Sequence, residues 1–170
     1  SDLSIWESQK SALAPRRTVL RYDIRGHGGS KAPAGAYDFD LLAADVIGLL
    51  DALKIERASF VGISLGGMIG QALALAAPQR LDRLVLADTT GRYPPEAQAA
   101  WPERIRQIEA AGLEPLVGPT LERWFTAPYR AAHPEVVERI GNLIRATPVA
   151  AYVGCCYAIA ALDYLDRETE

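Results

Sequence analysis

The chain has 170 residues, 49% of them hydrophobic, which is enough for one domain with a buried core. A net charge of −3 and an isoelectric point near 5.5 argue against a nucleic-acid partner and against an anionic membrane as partner. No basic segment followed by an apolar segment opens the sequence, so nothing indicates secretion and we expect a cytoplasmic protein.

The first third of the chain predicts two helices around one strand. Residues 1–14 predict a helix, with Asp2 or Ser4 as its cap, and residues 18–23 predict a strand from their β-propensity. A glycine-rich turn follows at 25–30. Asp38 is then a good N-cap for a helix whose apolar residues recur at 3.6-residue spacing, namely Phe39, Leu42, Val46, Leu49, Leu50 and Leu53.

The middle third predicts a strand, a sharp turn and a helix, followed by a further strand. Residues 58–63 are apolar and rich in β-formers, and a small-residue helix runs from the turn to about Ala77, where Pro78 ends it. Residues 81–87 predict the next strand, which ends at Asp88. Three strands separated by helices indicate βαβ units, and therefore an α/β fold with a parallel sheet and flanking helices.

The turn between strand and helix carries the pattern Gly62-x-Ser64-x-Gly66, which is typical of a nucleophile elbow. We expect Ser64 to have an unusual, positive φ that places its hydroxyl in a cleft, as a catalytic nucleophile. Side chains at 62 and 66 are expected to collide with the neighbouring strand and helix. The Leu65 N–H, at a helix N-terminus, is the expected oxyanion donor.

Two other interpretations of residues 58–79 remain open. The stretch has no charged residue, and its small residues at four-residue spacing are also found in membrane helices. Ser59, Ser64 and Gln71, the β-forming start, and the absence of an aromatic belt or a basic flank argue against that interpretation. The segment could also be a glycine-rich structural turn without chemistry.

The pattern changes after about residue 91. Residues 93–165 predict no strand, and prolines divide them into four helical stretches with apolar residues that would pack helix on helix. We therefore predict two domains: a partial sheet core with the elbow at 1–92, and an all-α cap or lid at 93–170.

The elbow, together with Tyr22-Asp23-x-Arg25-Gly26-x-Gly28-x-Ser30, resembles the α/β-hydrolase superfamily. Within it, three regions resemble 3-oxoadipate enol-lactonases of aromatic-compound catabolism, in the β-ketoadipate pathway: residues 1–6, residues 123–126, and the region of Tyr152, Cys155, Ala158 and Ile159. The resemblance implies a serine hydrolase that opens a small anionic enol-lactone, converting 3-oxoadipate enol-lactone to 3-oxoadipate. It implies no metal and no organic cofactor, and a small-molecule lactone or ester as the only partner; it leaves the oligomeric state open.

The resemblance also implies a triad in the chain order Ser, Asp, His. We expect its acid and histidine beyond residue 170 and its oxyanion loop before Ser1, so that this chain alone is inactive. Ser64, Asp88 and His133 have the right order for a triad within the chain, but no predicted strand places His133 above Ser64. His27 is explained by its turn.

The resemblance singles out Arg123 and Trp124 in the predicted lid as substrate-binding residues, since a guanidinium can hold a substrate carboxylate. The alternative is a surface charge beside a core aromatic residue. Rival functions are a general carboxylesterase, a haloperoxidase, a carbon–carbon bond hydrolase, or a non-catalytic binding module. The adjacent Cys155 and Cys156 are expected to be two buried thiols.

Overall fold

A computed structural model describes residues 1–167. Its α-helices and strands, in chain order, are α1 Glu7–Leu13, α2 Phe39–Ala52, β1 Ala58–Ile63, α3 Leu65–Ala76, β2 Leu81–Ala87, α4 Pro95–Ala99, α5 Trp101–Ala111, α6 Glu114–Trp124, α7 Ala127–Ala132, α8 Pro134–Arg145 and α9 Val149–Ala160. The chain forms two compact units. Among the described residues, the helical unit contains 1–34 and 105–153, and the sheet unit contains 35–104 and 154–167. The predicted division at residue 92 stays a prediction.

The sheet unit is built on β1 and β2, which pair in parallel with Ser59 beside Arg83 and Ile63 beside Ala87. Parallel strands need a crossover connection, and α3 supplies it and packs on both strands. The two closest side chains to Gly70 of α3 come from Leu84 and Phe60: a methyl group built on Gly70 would lie 2.9 Å from Leu84 Cδ1. The predicted α/β fold with a parallel sheet is therefore confirmed.

Helix α2 covers α3 in the same unit. Asp38 caps α2 as predicted, since its Oδ1 accepts from the Leu41 N–H at 2.7 Å. The predicted 3.6-residue stripe is buried at Leu42, Val46 and Leu50, whereas Leu53 lies just past the helix end and is exposed. The buried face of α3 supplies the other half of this core.

The helical unit contains α1 and packs α6 and α7 against α8. Ile140 and Ile144 of α8 are buried, as is Val117 of α6, which a methyl group built on Gly141 would approach to 3.3 Å. The prediction of four helical stretches after residue 93 is wrong, because six α-helices are described. Several prolines expected to break helices instead stand in a first turn, where a missing N–H has no cost.

The prediction of a strand at 18–23 is also wrong. A strand needs a hydrogen-bonded neighbour, and no strand is described among residues 1–34 and 105–153, the unit to which this segment belongs. Asp23 instead organises the following turn, accepting from the amides of Leu3 at 2.6 Å and Gly29 at 2.9 Å. The sheet of the described residues accordingly has two strands and not three.

The predicted N-terminal helix is present in two parts. A 3-10 turn at Leu3–Trp6 precedes α1, and Asp2 caps it by accepting from the Ser4 N–H at 2.9 Å. Within residues 1–167, no single helix has both the length and the apolar character needed to cross a membrane; α8 and α9 satisfy both criteria only as a pair bent by 89°.

Candidate active site

The backbone at Ser64 has the predicted positive φ. Ser64 joins β1 directly to α3 with φ 51° and ψ −117°, a sparsely populated conformation for a residue with a side chain. Its N–H donates to the Ala87 carbonyl at 2.9 Å, and its carbonyl accepts from the Met68 N–H at 3.1 Å. The Ser64 residue is exposed, so its hydroxyl is outside the core.

The prediction for the glycines around Ser64 is confirmed at Gly62 and wrong at Gly66. A methyl group built on Gly62 would overlap the Gly66 carbonyl group, which confirms the requirement for glycine at 62. The same prediction for Gly66 is wrong, because no atom lies within 4 Å of a methyl group built there. That side of the first turn of α3 is open. The tight contact is at Gly67, whose added methyl group would lie 2.7 Å from Thr89 Cβ.

Thr89, which follows β2, bonds directly to the elbow. Its Oγ1 donates to the Ser64 carbonyl at 2.9 Å. Sequence reasoning missed this residue, because its contact depends on the parallel register that brings the end of β2 beside the end of β1. The neighbouring Asp88 also has a positive φ, of 45°. Two non-glycine residues with uncommon backbone angles therefore lie at adjacent strand ends, which is where strain is concentrated in functional sites.

Leu65 is the first residue of α3. Its N–H therefore has no acceptor within the helix, and it lies at the positive end of the helix dipole. An oxyanion on a group bonded to the Ser64 side chain would lie near this N–H, because Leu65 is the next residue in the chain. The structure thus places the two predicted groups, the Ser64 hydroxyl and the Leu65 amide, at one strand–helix junction.

The hydrogen bonds of Ser64 within the described residues are all made by its backbone. His27 is buried in the helical unit, where its Nδ1 lies 3.1 Å from the Arg25 carbonyl oxygen and burial lowers its pKa. His133, in the same unit, lies against the Tyr129 ring with its Nδ1 3.8 Å from Glu135. Asp88 is exposed in the sheet unit. The described residues of the sheet unit therefore contain Ser64 and Asp88 but no histidine.

A cavity of about 490 Å³ lies at the carboxyl end of β2 within the sheet unit. Its lining includes Thr89, Asp88, Tyr93 and Gln71. Gln71 is buried; its Nε2 donates to the Thr90 carbonyl at 3.2 Å, while its Oε1 has no partner among the described residues. The Gln71 Oε1 is thus a buried acceptor without a partner, in a residue that lines the cavity.

Arg123 and Trp124 form the last two residues of α6, in the helical unit. Both are exposed, Trp124 by 50%. They are adjacent on a helix end, and no carboxylate pairs with Arg123 among the described residues. Their predicted role as substrate contacts stays a prediction.

Cys155 and Cys156 are both buried and unbridged, as expected. Burial raises the pKa of Cys155 to about 12 and that of Cys156 to about 11, so both thiols are protonated and unreactive at neutral pH. No group of three or more His, Cys, Asp or Glu side chains suited to a metal ion is found in the described part of the chain.

Comparison with known proteins gives three relevant matches. A family model described as the alpha/beta hydrolase fold matches residues 1–150. The chain is 39% identical over 163 residues to 3-oxoadipate enol-lactonase 2 of Acinetobacter baylyi, across 96% of this chain and 60% of that protein. The crystal structure of the enol-lactonase from Burkholderia xenovorans LB400 superposes with a TM-score of 0.90 at 42% identity, covering 96% of this chain and 62% of that one.

A more distant match has a different name. A protein of Caulobacter segnis assigned as the carbamate hydrolase RutD is 37% identical over 116 residues, which is 67% of this chain and 43% of that protein. This chain spans about three fifths of the length of the two enol-lactonases.

Proposed function

Because the chain belongs to the alpha/beta hydrolase fold family, we propose that it carries the nucleophile of a serine hydrolase that opens a small anionic enol-lactone. The observation that carries the proposal is the positive φ of Ser64 between β1 and α3. A serine buried in a regular helix would offer no hydroxyl to a substrate, whereas this one is exposed at a strained junction. The identity to an enol-lactonase along 96% of the chain supports the substrate class.

The proposed chemistry begins with attack of Ser64 Oγ on the lactone carbonyl carbon while a general base takes the hydroxyl proton. The carbonyl π electrons move to oxygen, and the Leu65 N–H stabilises the resulting oxyanion. Collapse of the tetrahedral intermediate breaks the ring C–O bond, and the leaving enol oxygen takes a proton and tautomerises to a ketone. Water then hydrolyses the acyl-serine. Each oxyanion donor contributes about 3–4 kcal/mol in comparable enzymes.

The general base of this proposal is a histidine in the part of the relatives' length that the chain does not span. Support comes from the sheet unit, whose described residues contain Ser64 but no histidine. A serine hydroxyl without a base is a weak nucleophile. The proposal therefore assigns the nucleophile and one oxyanion donor to this chain, and the acid and base to another segment.

Substrate recognition is proposed to include Arg123 and Trp124. A lactone of a dicarboxylic acid keeps one free carboxylate, and burying that group without a partner would cost several kcal/mol. A cationic side chain in the cap would pair with that carboxylate. We further propose a cytoplasmic location, consistent with the adjacent unbridged thiols of Cys155 and Cys156.

The nucleophile is tested by covalent labelling. A fluorophosphonate probe should label the wild-type chain weakly at one site, and Ser64→Ala should abolish that labelling. Ser59→Ala, an exposed serine on β1, is the matched control and should leave it unchanged. Equal labelling of Ser64→Ala and wild type, with the peptide mapped elsewhere, would remove Ser64 as the nucleophile.

Turnover tests the assignment of the base. The isolated chain should hydrolyse p-nitrophenyl acetate or the enol-lactone no faster than its Ser64→Ala variant. An excess above about 10⁴-fold, the upper range of general-base assistance, would mean that a complete triad lies within these 170 residues.

Carbamate hydrolysis is the second candidate, favoured by the match to the Caulobacter segnis protein. It would use the same serine and oxyanion donor on a neutral or smaller substrate. The two candidates are distinguished by Arg123→Ala, measured in a protein that carries this chain together with the proposed acid and histidine segment. Loss of affinity for an anionic lactone, with a neutral ester unaffected, favours the lactonase.

A further inference from the structure

Six arginines lie between residues 93 and 165 of the predicted lid: Arg104, Arg106, Arg123, Arg130, Arg139 and Arg145. Three are committed to hydrogen bonds within the described residues, since Arg130 donates to the Phe125 carbonyl at 2.6 Å, Arg139 to Ser4 Oγ at 3.2 Å, and Arg145 to the Glu114 carboxylate at 2.9 Å. Arg106 also has a partner. Arg104 and Arg123 are the two whose guanidinium groups have no such commitment within the described residues.

Arg104 differs from Arg123 in its surroundings. Its guanidinium carbon lies 5.4 Å from the centroid of the Trp101 ring, one helical turn away on α5. Its Nε is buried and finds no hydrogen-bond acceptor within residues 1–167, and no carboxylate pairs with it there. Arg123, by contrast, is exposed.

A partly desolvated guanidinium without an anion is an unfavourable arrangement. The cation–π interaction with the indole face stabilises the guanidinium by about 0.5–2 kcal/mol. It supplies no hydrogen-bond acceptor for the N–H groups, and an unsatisfied donor beside a full charge is costly to bury. Of the three guanidinium nitrogens, only Nε is both fully buried and without a hydrogen-bond partner. The two Nη nitrogens are therefore accessible to solvent. A planar carboxylate fits that pair of donors in a bidentate geometry.

The groups around Arg104 in the sheet unit leave its charge uncompensated. Burial raises the pKa of Cys156 to about 11 against the opposing effect of Arg104, so this neighbouring thiol is uncharged at neutral pH. On the other side, Trp101 meets Tyr93 edge-on, with ring centroids 6.2 Å apart. Tyr93 lines the cavity at the end of β2 together with Thr89, the residue bonded to the Ser64 carbonyl.

We propose that Arg104, positioned on the Trp101 ring, is a binding site for the carboxylate of a small organic anion. Binding of such an anion is independent of hydrolysis and of the contact proposed for Arg123, which belongs to the helical unit whereas Arg104 belongs to the sheet unit. The Arg104 guanidinium lies over the Trp101 ring, the Trp101 ring contacts the Tyr93 ring, and Tyr93 lines the cavity beside the elbow.

The test is an NMR titration of the ¹⁵N-labelled chain with adipate, a six-carbon dicarboxylate, at constant ionic strength. The Arg104 Nε–H cross-peak, assigned by its loss in Arg104→Gln, should shift saturably together with the Trp101 indole N–H. Adipamide, the neutral analogue, should move neither. Arg104→Gln should weaken adipate binding about tenfold or more, the scale of a charge-assisted hydrogen bond. Arg104→Lys should retain part of the affinity, since it keeps the charge but loses the fork.

Arg106→Gln is the matched control, because it removes the same charge from an exposed position two residues along α5. It should leave adipate affinity unchanged, and the dispersion of each variant's spectrum reports whether it folds. Unchanged adipate affinity in a folded Arg104→Gln, equal shifts with adipamide, or no saturable shift in the wild-type chain would each overturn the proposal. Ser64→Ala should bind adipate like the wild-type chain, so a failure of the nucleophile assignment leaves this result intact.

Discussion

Ser64 is held in its conformation by groups from both strands. The Ala87 carbonyl of β2 accepts its N–H, and the Thr89 hydroxyl just beyond β2 donates to its carbonyl. These bonds offset the cost of an uncommon φ and ψ, which is of order 1–3 kcal/mol. At this scale the motif predicted the positive φ of Ser64 and the need for glycine at 62. It did not predict the hydroxyl of Thr89, because that contact joins residues 25 positions apart.

The requirement for glycine at 62 gives a test of the elbow. Gly62→Ala should lower the free energy of unfolding by about 1–3 kcal/mol or more, because its methyl group would overlap the Gly66 carbonyl group. Gly48→Ala is the control: this exposed position in α2 has open space around it, and alanine there should stabilise the helix by about 0.5–1 kcal/mol. Urea unfolding followed by circular dichroism measures both. Gly62→Ala with the stability of the wild-type chain would contradict the close approach.

The helices show which structural features depend only on residues that are close in sequence. The sequence predicts Asp38 as one cap and offers Asp2 or Ser4 as another; Asp38 and Asp2 both accept from a backbone N–H at a helix start, because capping is completed within three residues. The predicted number of helices after residue 93 is too low, because a proline can stand either just after the end of one helix or in the first turn of the next. Which of these two positions a proline takes depends on whether the turn before it packs against the rest of the protein.

The cap of α2 can be tested directly. Asp38→Ala should cost about 1 kcal/mol of stability, because the Leu41 N–H loses its acceptor. Asp38→Asn should retain most of that stability, since its side-chain oxygen accepts the same bond. Asp40→Ala, in the first turn but without a capping bond, serves as the control and should be close to neutral. Equal losses for Asp38→Ala and Asp40→Ala, measured by urea unfolding, would assign the effect to charge and not to the cap.

For the whole molecule, one face of the two-stranded sheet remains exposed. Val61 is 47% exposed, Ile63 42% and Val85 52%, whereas Phe60 on the other face is covered by α3. Side chains alternate along a strand, so these three share the face opposite to α3. An apolar sheet face beside unpaired strand edges favours association of the isolated chain.

That surface predicts the solution behaviour of the 170-residue chain. Wild type should self-associate with rising concentration in sedimentation velocity, and Val61→Thr with Val85→Thr should reduce this, because threonine keeps the β-branched shape but adds a polar group. Leu53→Thr, an equally exposed apolar position at the end of α2, should have little effect. A wild-type chain that stays monomeric at all concentrations, or a control that acts like the double variant, would show that the sheet face is not the associating surface.

The sequence by itself determined the features that depend on short spacing: the α/β fold class, the β1–α3 elbow with its strained serine, the helix caps and the family of hydrolases to which these belong. Only the tertiary structure decided which potential strands find a partner, why residues 18–23 form none, and which lid arginine is desolvated against an aromatic ring. The physical reason is range. Backbone periodicity and capping are satisfied by neighbours in sequence, whereas strand pairing, burial and the compensation of charge are set by residues that only folding brings together.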